Sequence, residues 1–282
     1  MNKDLLFTKD DGLPLATVRS WAIKKYNLVY EYDSLFSKGM KNRWDTRVYI
    51  DLCSGPGRGI IKKENKILNT SPILSLLVPD KFDKYIFCHI NKAYIDALRE
   101  RVTAIHAVNN VTYLVGDSNK LVDQIIQSIP KPSPENSVLT FCFVDPFSLI
   151  IEFETIKRLS KYFMDFLVLL AFGMDGKRNI KLYIDENHER IDNFLSLNDW
   201  RERWGKAFKE GIKLTKFLAD EFTSQMLKLE YRKEALNSFI EIRSDVKNLP
   251  LYYLAFFSRH EQGYNFWNKV KKRNTEPEFE FY

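Results

Sequence analysis

An α/β fold with a mainly parallel sheet is predicted by three features of this 282-residue sequence. Short apolar runs (RVYIDLC, KYIFCHI, NVTYLVGD, VLTFCFVDPF and DFLVLLAF) alternate with segments whose apolar residues recur at helical spacing. That alternation is the signature of βαβ units, whose strands are buried on both faces. The first run ends in Asp51 and passes straight into Gly55, Gly57 and Gly59. Several runs also end in polar residues or glycine, where open parallel sheets gather their ligands.

Residues Leu15 to Phe36 carry Val18, Trp21, Leu28, Tyr32 and Leu35 at helical intervals, which predicts an amphipathic N-terminal helix. RVYIDLC follows as a strand. A helix then opens at Ser71-Pro72 and runs through ILSLLV, serine before proline being a favourable cap and first turn. After the strand KYIFCHI, Tyr94, Leu98 and Val102 mark a helix. NVTYLVGD is the next strand, and Leu121, Ile125 and Ile129 mark a further helix with Asp117 as its expected cap. PKPSPENS is a polar, proline-rich connection to VLTFCFVDPF, and DFLVLLAF follows one more helical stretch.

Past Phe172 the pattern changes, and Phe194, Trp200, Trp204, Phe217 and Phe222 recur at roughly helical intervals among charged residues. SFIEIR and LYYLAFFS then read as an antiparallel pair at the sheet edge. Tyr264 to Val270 read as a closing helix packed through Phe266 and Trp267. The predicted organisation is an N-terminal helical segment (1–46), an α/β domain (47–174 and 237–282) and a helical insertion (175–236).

A composition of 45% apolar and 14% aromatic residues supports a substantial core. No apolar run approaches the roughly 20 residues of a membrane helix. The opening MNKDLLFTKDDG also lacks the basic-then-apolar order of a signal peptide, so a cytoplasmic protein without membrane contact is expected. Cys53, Cys88 and Cys142 are widely spaced within or beside apolar runs, which predicts free thiols rather than disulfides or a metal site. A net charge of +6 fits a polyanionic partner. Its visible clusters are Lys62-Lys63, Lys157-Arg158 with Lys161, Lys177-Arg178 and Lys271-Lys272-Arg273, each equally readable as a solvated face.

Four strand ends carry the candidate chemistry: Asp51 to Gly59, His89 to Asn91, Gly116-Asp117, and Asp145-Pro146-Phe147. The glycine turn reads either as a seat for a ligand's close approach or as a structural turn that binds nothing. Its G-x-G-x-G spacing, with the next predicted helix delayed to Ser71, departs from the dinucleotide fingerprint. It is better suited to S-adenosylmethionine, whose amino-acid part can lie against the turn while its adenosine reaches the later strand ends.

VYIDLCSGPGRG, the helix start TSPILSLL, VGDSN, FVDPF and the closing LYYLAFFSRHEQGYNFWNKV together resemble the three-Cys-motif partner proteins over most of the chain. The resemblance implies a Rossmann-like class I methyltransferase fold with S-adenosylmethionine as cofactor. It places Asp51, Gly55 and Gly57, with Cys53 in the same turn, around the methionine part, and Asp117 with Ser118 beside the adenine. His89 and Asn91 stand where methyltransferases usually carry an acidic residue for both ribose hydroxyls, and a neutral imidazole accepts only one hydrogen bond.

Asp145-Pro146-Phe147 is similar to the motif of methyltransferases that modify exocyclic amines, and closer still to the DPF of tRNA guanine-N2 dimethyltransferases, with Ser148 replacing their glycine. In that reading Asp145 orients the amine and Phe147 stacks on the base. In the competing one Asp145 caps a helix and Phe147 belongs to the core. Two functions are therefore expected. One is an N-methyltransferase acting on RNA or DNA, with the insertion and the basic clusters gripping the substrate. The other is a degenerate methyltransferase-fold binding protein that serves a three-cysteine-motif protein of iron–sulfur or radical type.

Overall fold

The computed structural model describes residues 3–105, 110–171, 184, 189–243 and 250–275, so the Lys177-Arg178 cluster lies outside the described residues. In chain order the elements are α1 (Lys3–Leu6), β1 (Phe7–Thr8), β2 (Ala16–Val18), α2 (Ala22–Met40), β3 (Thr46–Asp51), β4 (Arg58–Ile61), β5 (Lys66–Asn69), α3 (Ser71–Leu76) and β6 (Lys84–His89). Then come α4 (Lys92–Ile105), β7 (Val111–Val115), α5 (Val122–Ser128), β8 (Val138–Val144), α6 (Phe153–Leu159) and β9 (Met164–Leu170). The chain continues through α7 (Arg190–Leu195), α8 (Trp200–Lys209), α9 (Leu214–Lys228), a 3-10 turn (Lys233–Asn237), β10 (Ile240–Arg243), β11 (Pro250–Phe257) and α10 (Glu261–Thr275).

The main sheet has seven strands in the order β10-β11-β9-β8-β3-β6-β7. β7, β6, β3, β8 and β9 are parallel, whereas β11 pairs antiparallel with both β9 and β10. This is the Rossmann-like methyltransferase arrangement, with one reversed strand set second from the edge. The antiparallel pair expected at the sheet edge is present as β10 and β11, with β11 the reversed strand and β10, at the edge, running with the parallel set. β9, Met-Asp-Phe-Leu-Val-Leu-Leu, is buried at every position, as a parallel strand covered on both faces must be.

The predicted helix from Leu15 is divided. Ala16 to Val18 form β2, and α2 opens only at Ala22. β2 pairs in parallel with β4, within a four-stranded sheet of order β1-β5-β4-β2 that the sequence reading missed. The β4–β5 hairpin occupies the stretch between the glycine turn and α3. α3 begins after Thr70 rather than with a serine cap, because the Ser71 hydroxyl is committed to Asp51 at 2.7 Å. Asp117 likewise does not cap α5. Its carboxylate accepts the Asn119 N–H at 3.0 Å, in a turn that precedes the helix.

The helices between β9 and β10 share the main core: the Phe222 ring of α9 contacts Phe153 of α6, Phe194 of α7 and Phe257 of β11. All three cysteines are free thiols. No helix among the described residues is long and apolar enough to cross a membrane.

Candidate active site

From β3 the chain steps outward to β6 and β7 and then returns to β8 on the other side of β3, so the strand order reverses beside β3 and β8. Ligands of open α/β sheets bind outside the carboxyl ends of the strands at such a point. A cavity of about 440 Å³ lies there. That volume falls in the range of small-molecule sites. Its walls come from the glycine turn (Cys53 to Pro56), the start of α3 (Thr70 and Ser71), His89 with Tyr94, and Asp145, Pro146 and Phe147. The N-terminal segment Ala16 to Ala22, with Lys25 and Tyr26, closes one side. β2 delivers that segment: paired alongside β4 as it leaves the glycine turn, it sets Arg19, Trp21 and Lys25 over the strand ends.

Of the residues singled out in the sequence, Cys53, Gly55, His89, Asp145, Pro146 and Phe147 line this cavity. Asp51, Gly57, Asn91, Asp117 and Ser118 are not among the residues that line it. Asp51 is fully buried, and its two oxygens accept the Ser71 hydroxyl at 2.7 Å and the Cys53 N–H at 3.1 Å. It holds the turn and the start of α3 in place and presents Ser71, not itself, to the cavity. Burial, with the Asp145 charge nearby, pushes its pKa up to about 7 against the pull of the Ser71 hydrogen bond.

Gly55 and Gly57 both adopt positive φ, at +63° and +84°. Their roles differ. A Cβ on Gly55 would meet nothing within 4 Å, whereas one on Gly57 would stand 2.8 Å from Ile73 and Leu98, so Gly57 serves core packing. Asn91 caps α4 by accepting the Ala93 N–H at 2.9 Å. Ser118 is buried and donates to the Leu52 carbonyl. Burial pushes the Cys53 thiol well above its usual range, with the Asp51 charge acting in the same direction.

His89 differs from its sequence reading in one respect. Its Nδ1 already accepts the Asn91 N–H at 3.0 Å, and burial lowers its pKa, so the neutral ring carries its proton on Nε2. Toward a ligand His89 is therefore a donor, where an acceptor was expected.

Asp145 caps no helix, because α6 opens only at Phe153 after Glu152. Phe147 is no core residue: it is 76% exposed. What the sequence reading missed is Lys25, whose Nζ stands 2.6 Å from Asp145 Oδ2, the two side chains being only 7% and 12% exposed. Burial alone would drive the ammonium to lower pKa, but the Asp145 charge reverses this and holds it above the usual lysine value. The Tyr26 ring centroid lies 4.5 Å from Nζ. A signal was present in the sequence: Lys25 falls between Trp21 and Leu28 on the apolar stripe of α2, where lysine is out of place unless paired.

Asn119 was missed as well. It ties the loop after Phe147 to α6 by donating to the Ile150 carbonyl at 2.8 Å and accepting from the Glu152 N–H and the Thr155 hydroxyl.

The strand order, with β11 reversed beside the parallel set, is that of the Rossmann-like class I methyltransferase fold. By sequence, the chain matches no protein-family model and no curated protein. The resemblance to three-Cys-motif partner proteins thus rests on the motifs quoted above. Among solved structures it is similar to the protein LPL1258 from Legionella pneumophila, at 10% identity over 89% of this chain and 92% of that one, with a TM-score of 0.46. It is also similar to the O-methyltransferase TomG from Streptomyces achromogenes, solved with S-adenosylmethionine, at 10% identity over 91% and 93% of the chains and a TM-score of 0.44. Trm5b from Pyrococcus abyssi is similar at 14% identity over 90% of this chain and 56% of that one, with a TM-score of 0.41.

Proposed function

We propose that this protein is an S-adenosylmethionine-dependent methyltransferase that modifies an exocyclic amine of a nucleic acid base. The observation that carries the reading is one cavity holding an open glycine turn at one side and a fixed carboxylate beside an exposed aromatic ring at another. The residues present fit the cofactor. Gly55 leaves open space beside the turn, and the buried Thr70 hydroxyl in the cavity wall has no hydrogen-bond partner among the described residues. Gly55, Thr70 and Ser71 would hold the amino-acid part and His89 Nε2 would donate to a ribose hydroxyl. Ile90, 69% exposed beside it, offers apolar surface to the adenine. The cofactor, when bound, supplies a methyl group on a sulfonium.

The protein's part in the reaction is orientation. Asp145 Oδ2 is fixed by Lys25, and Oδ1, without a hydrogen-bond partner among the described residues, would accept an N–H of the substrate amine. That hydrogen bond turns the nitrogen lone pair toward the methyl group, while stacking on Phe147 holds the ring at a worth of about 1–3 kcal/mol. Removing Asp145 outright would strand the buried Lys25 ammonium, so the informative variant is Asp145→Asn, which keeps an acceptor for it. With labelled S-adenosylmethionine offered to total RNA and total DNA, the parent is expected to transfer label. Asp145→Asn is expected to lose most of that transfer while binding the cofactor about as well.

A second reading is favoured by His89, which offers no acceptor to the ribose: a methyltransferase-fold binding protein that acts with a three-cysteine-motif protein. Absence of transfer to either nucleic acid, with binding to that protein, would replace the first reading by the second.

A further inference from the structure

Lys25 and Asp145 face the cavity as a locked pair, and their polarity specifies the kind of base edge that fits. The ammonium has three donors. One goes to Asp145 Oδ2 at 2.6 Å, and the Tyr26 ring lies against another side of the group, at 4.5 Å from its centroid. Asp145 Oδ1 remains an acceptor. The cavity therefore presents one acceptor next to one donor, at side chains 12% and 7% exposed, among the aromatic walls Trp21, Tyr26 and Phe147. In so dry a setting an unmatched group is costly, so the pair discriminates among edges.

Resting on the reading above, we infer that Lys25 is a specificity residue that donates to an unprotonated ring nitrogen adjacent to the amino group held by Asp145. The substrate class is a base with an amidine-type edge: adenine, through N6 with N1 or N7, or cytosine, through N4 with N3. Guanine is disfavoured. Its N2 amino group is flanked by N1–H, a donor that would oppose the ammonium, and by N3, which its own sugar shields.

The test replaces single atoms on both sides of the contact. Binding of AMP, CMP and GMP, and of 1-deaza-AMP, 7-deaza-AMP and 3-deaza-CMP, is measured by calorimetry with S-adenosylhomocysteine in excess to fill the cofactor end. The same titrations are run on the parent, Lys25→Met and Lys25→Gln, with thermal melts as a folding control. In the parent, AMP or CMP should bind roughly tenfold or more tightly than GMP and than its own deaza analogue, about the worth of one charge-assisted hydrogen bond. Lys25→Met should bind the natural and deaza forms equally. Lys25→Gln, which keeps an N–H donor and covers the case in which the methionine variant does not fold, should retain part of the difference.

Undiminished discrimination in both variants, equal binding of GMP, or no binding of any nucleotide would overturn the inference. The cofactor titration separates this outcome from failure of the methyltransferase reading: S-adenosylhomocysteine binding without nucleotide discrimination removes only the role of Lys25. Discrimination that depends on Lys25 without cofactor binding removes only the cofactor.

Discussion

At the scale of single residues, neighbours in the glycine turn do different work. Gly57→Ala places a methyl group 2.8 Å from Ile73 and Leu98 at a φ of +84°, so it combines overpacking with backbone strain. It should lower stability by roughly 1–3 kcal/mol in urea unfolding. Gly55→Ala meets open space and carries only the cost of positive φ, about 1–2 kcal/mol. Its larger effect should be on cofactor affinity by calorimetry, and unchanged affinity would take Gly55 out of the site. His89 is the second such case, a donor where a ribose calls for acceptors. His89→Glu restores an acceptor and should tighten S-adenosylmethionine binding by about 1 kcal/mol. Weaker binding would show that the Nε2 donor is itself used. The residue types of this turn were readable from the sequence. The division of labour among them was not, since it depends on which neighbour each Cβ would meet.

At the scale of elements, the cleft depends on an N-terminal segment brought over from another part of the chain. Arg101 on α4 is almost wholly buried and fastens it. The guanidinium donates to both oxygens of Asp11 at 2.8 and 2.7 Å, to the Pro14 carbonyl at 2.9 Å and to the Pro56 carbonyl in the glycine turn. One side chain thus links α4, the approach to β2 and the ligand turn. Arg101→Met leaves the exposed Asp11 still paired with Arg58 at 2.8 Å but strands the buried Pro56 carbonyl, and should lower stability by roughly 1–3 kcal/mol. Cofactor affinity should fall with it. A variant that unfolds as the parent does would show that β2 is held without Arg101.

The basic clusters are less prominent than the sequence suggested. Lys157 and Arg158, which lead toward the amino end of β9, are paired with Glu154 and Asp123. At the cleft itself it is the exposed Arg19 that stands in the wall.

At the scale of the whole molecule, buried carboxyls set the pH dependence. Burial raises Asp51 and Asp165 to about 7, and Asp33 well above its ordinary value, so the folded protein holds protons that the unfolded chain gives up near pH 4. Between roughly pH 4 and pH 7 the folded state binds more protons than the unfolded one, so stability falls as pH rises through that window. His89, with its lowered pKa, works in the opposite direction below about pH 6.5, one group against three. The melting temperature should therefore be higher at pH 5.5 than at pH 8. Asp51→Asn should flatten part of that slope, and a parent more stable at pH 8 would contradict the burial assigned to these groups.

By itself the sequence determined what is written in local pattern: the alternation of strands and helices, the parallel set from RVYIDLC to DFLVLLAF, the antiparallel pair near the C-terminus, and the strand ends that bear the glycine turn and Asp145. Apolar periodicity and turn chemistry act over a few residues, so a reading along the chain recovers them. Tertiary structure alone decided that the β4–β5 hairpin joins β1 and β2 in a second sheet, because β1 and β2 lie far along the chain from the hairpin they pair with and all four strands are too short to show a period. It also decided that Asp51 supports the cleft without reaching it, that His89 donates, and that Lys25 meets Asp145 across 120 residues. Burial, tautomer and ion pairing are settled by what packs around a group, and those neighbours are chosen by the fold as a whole.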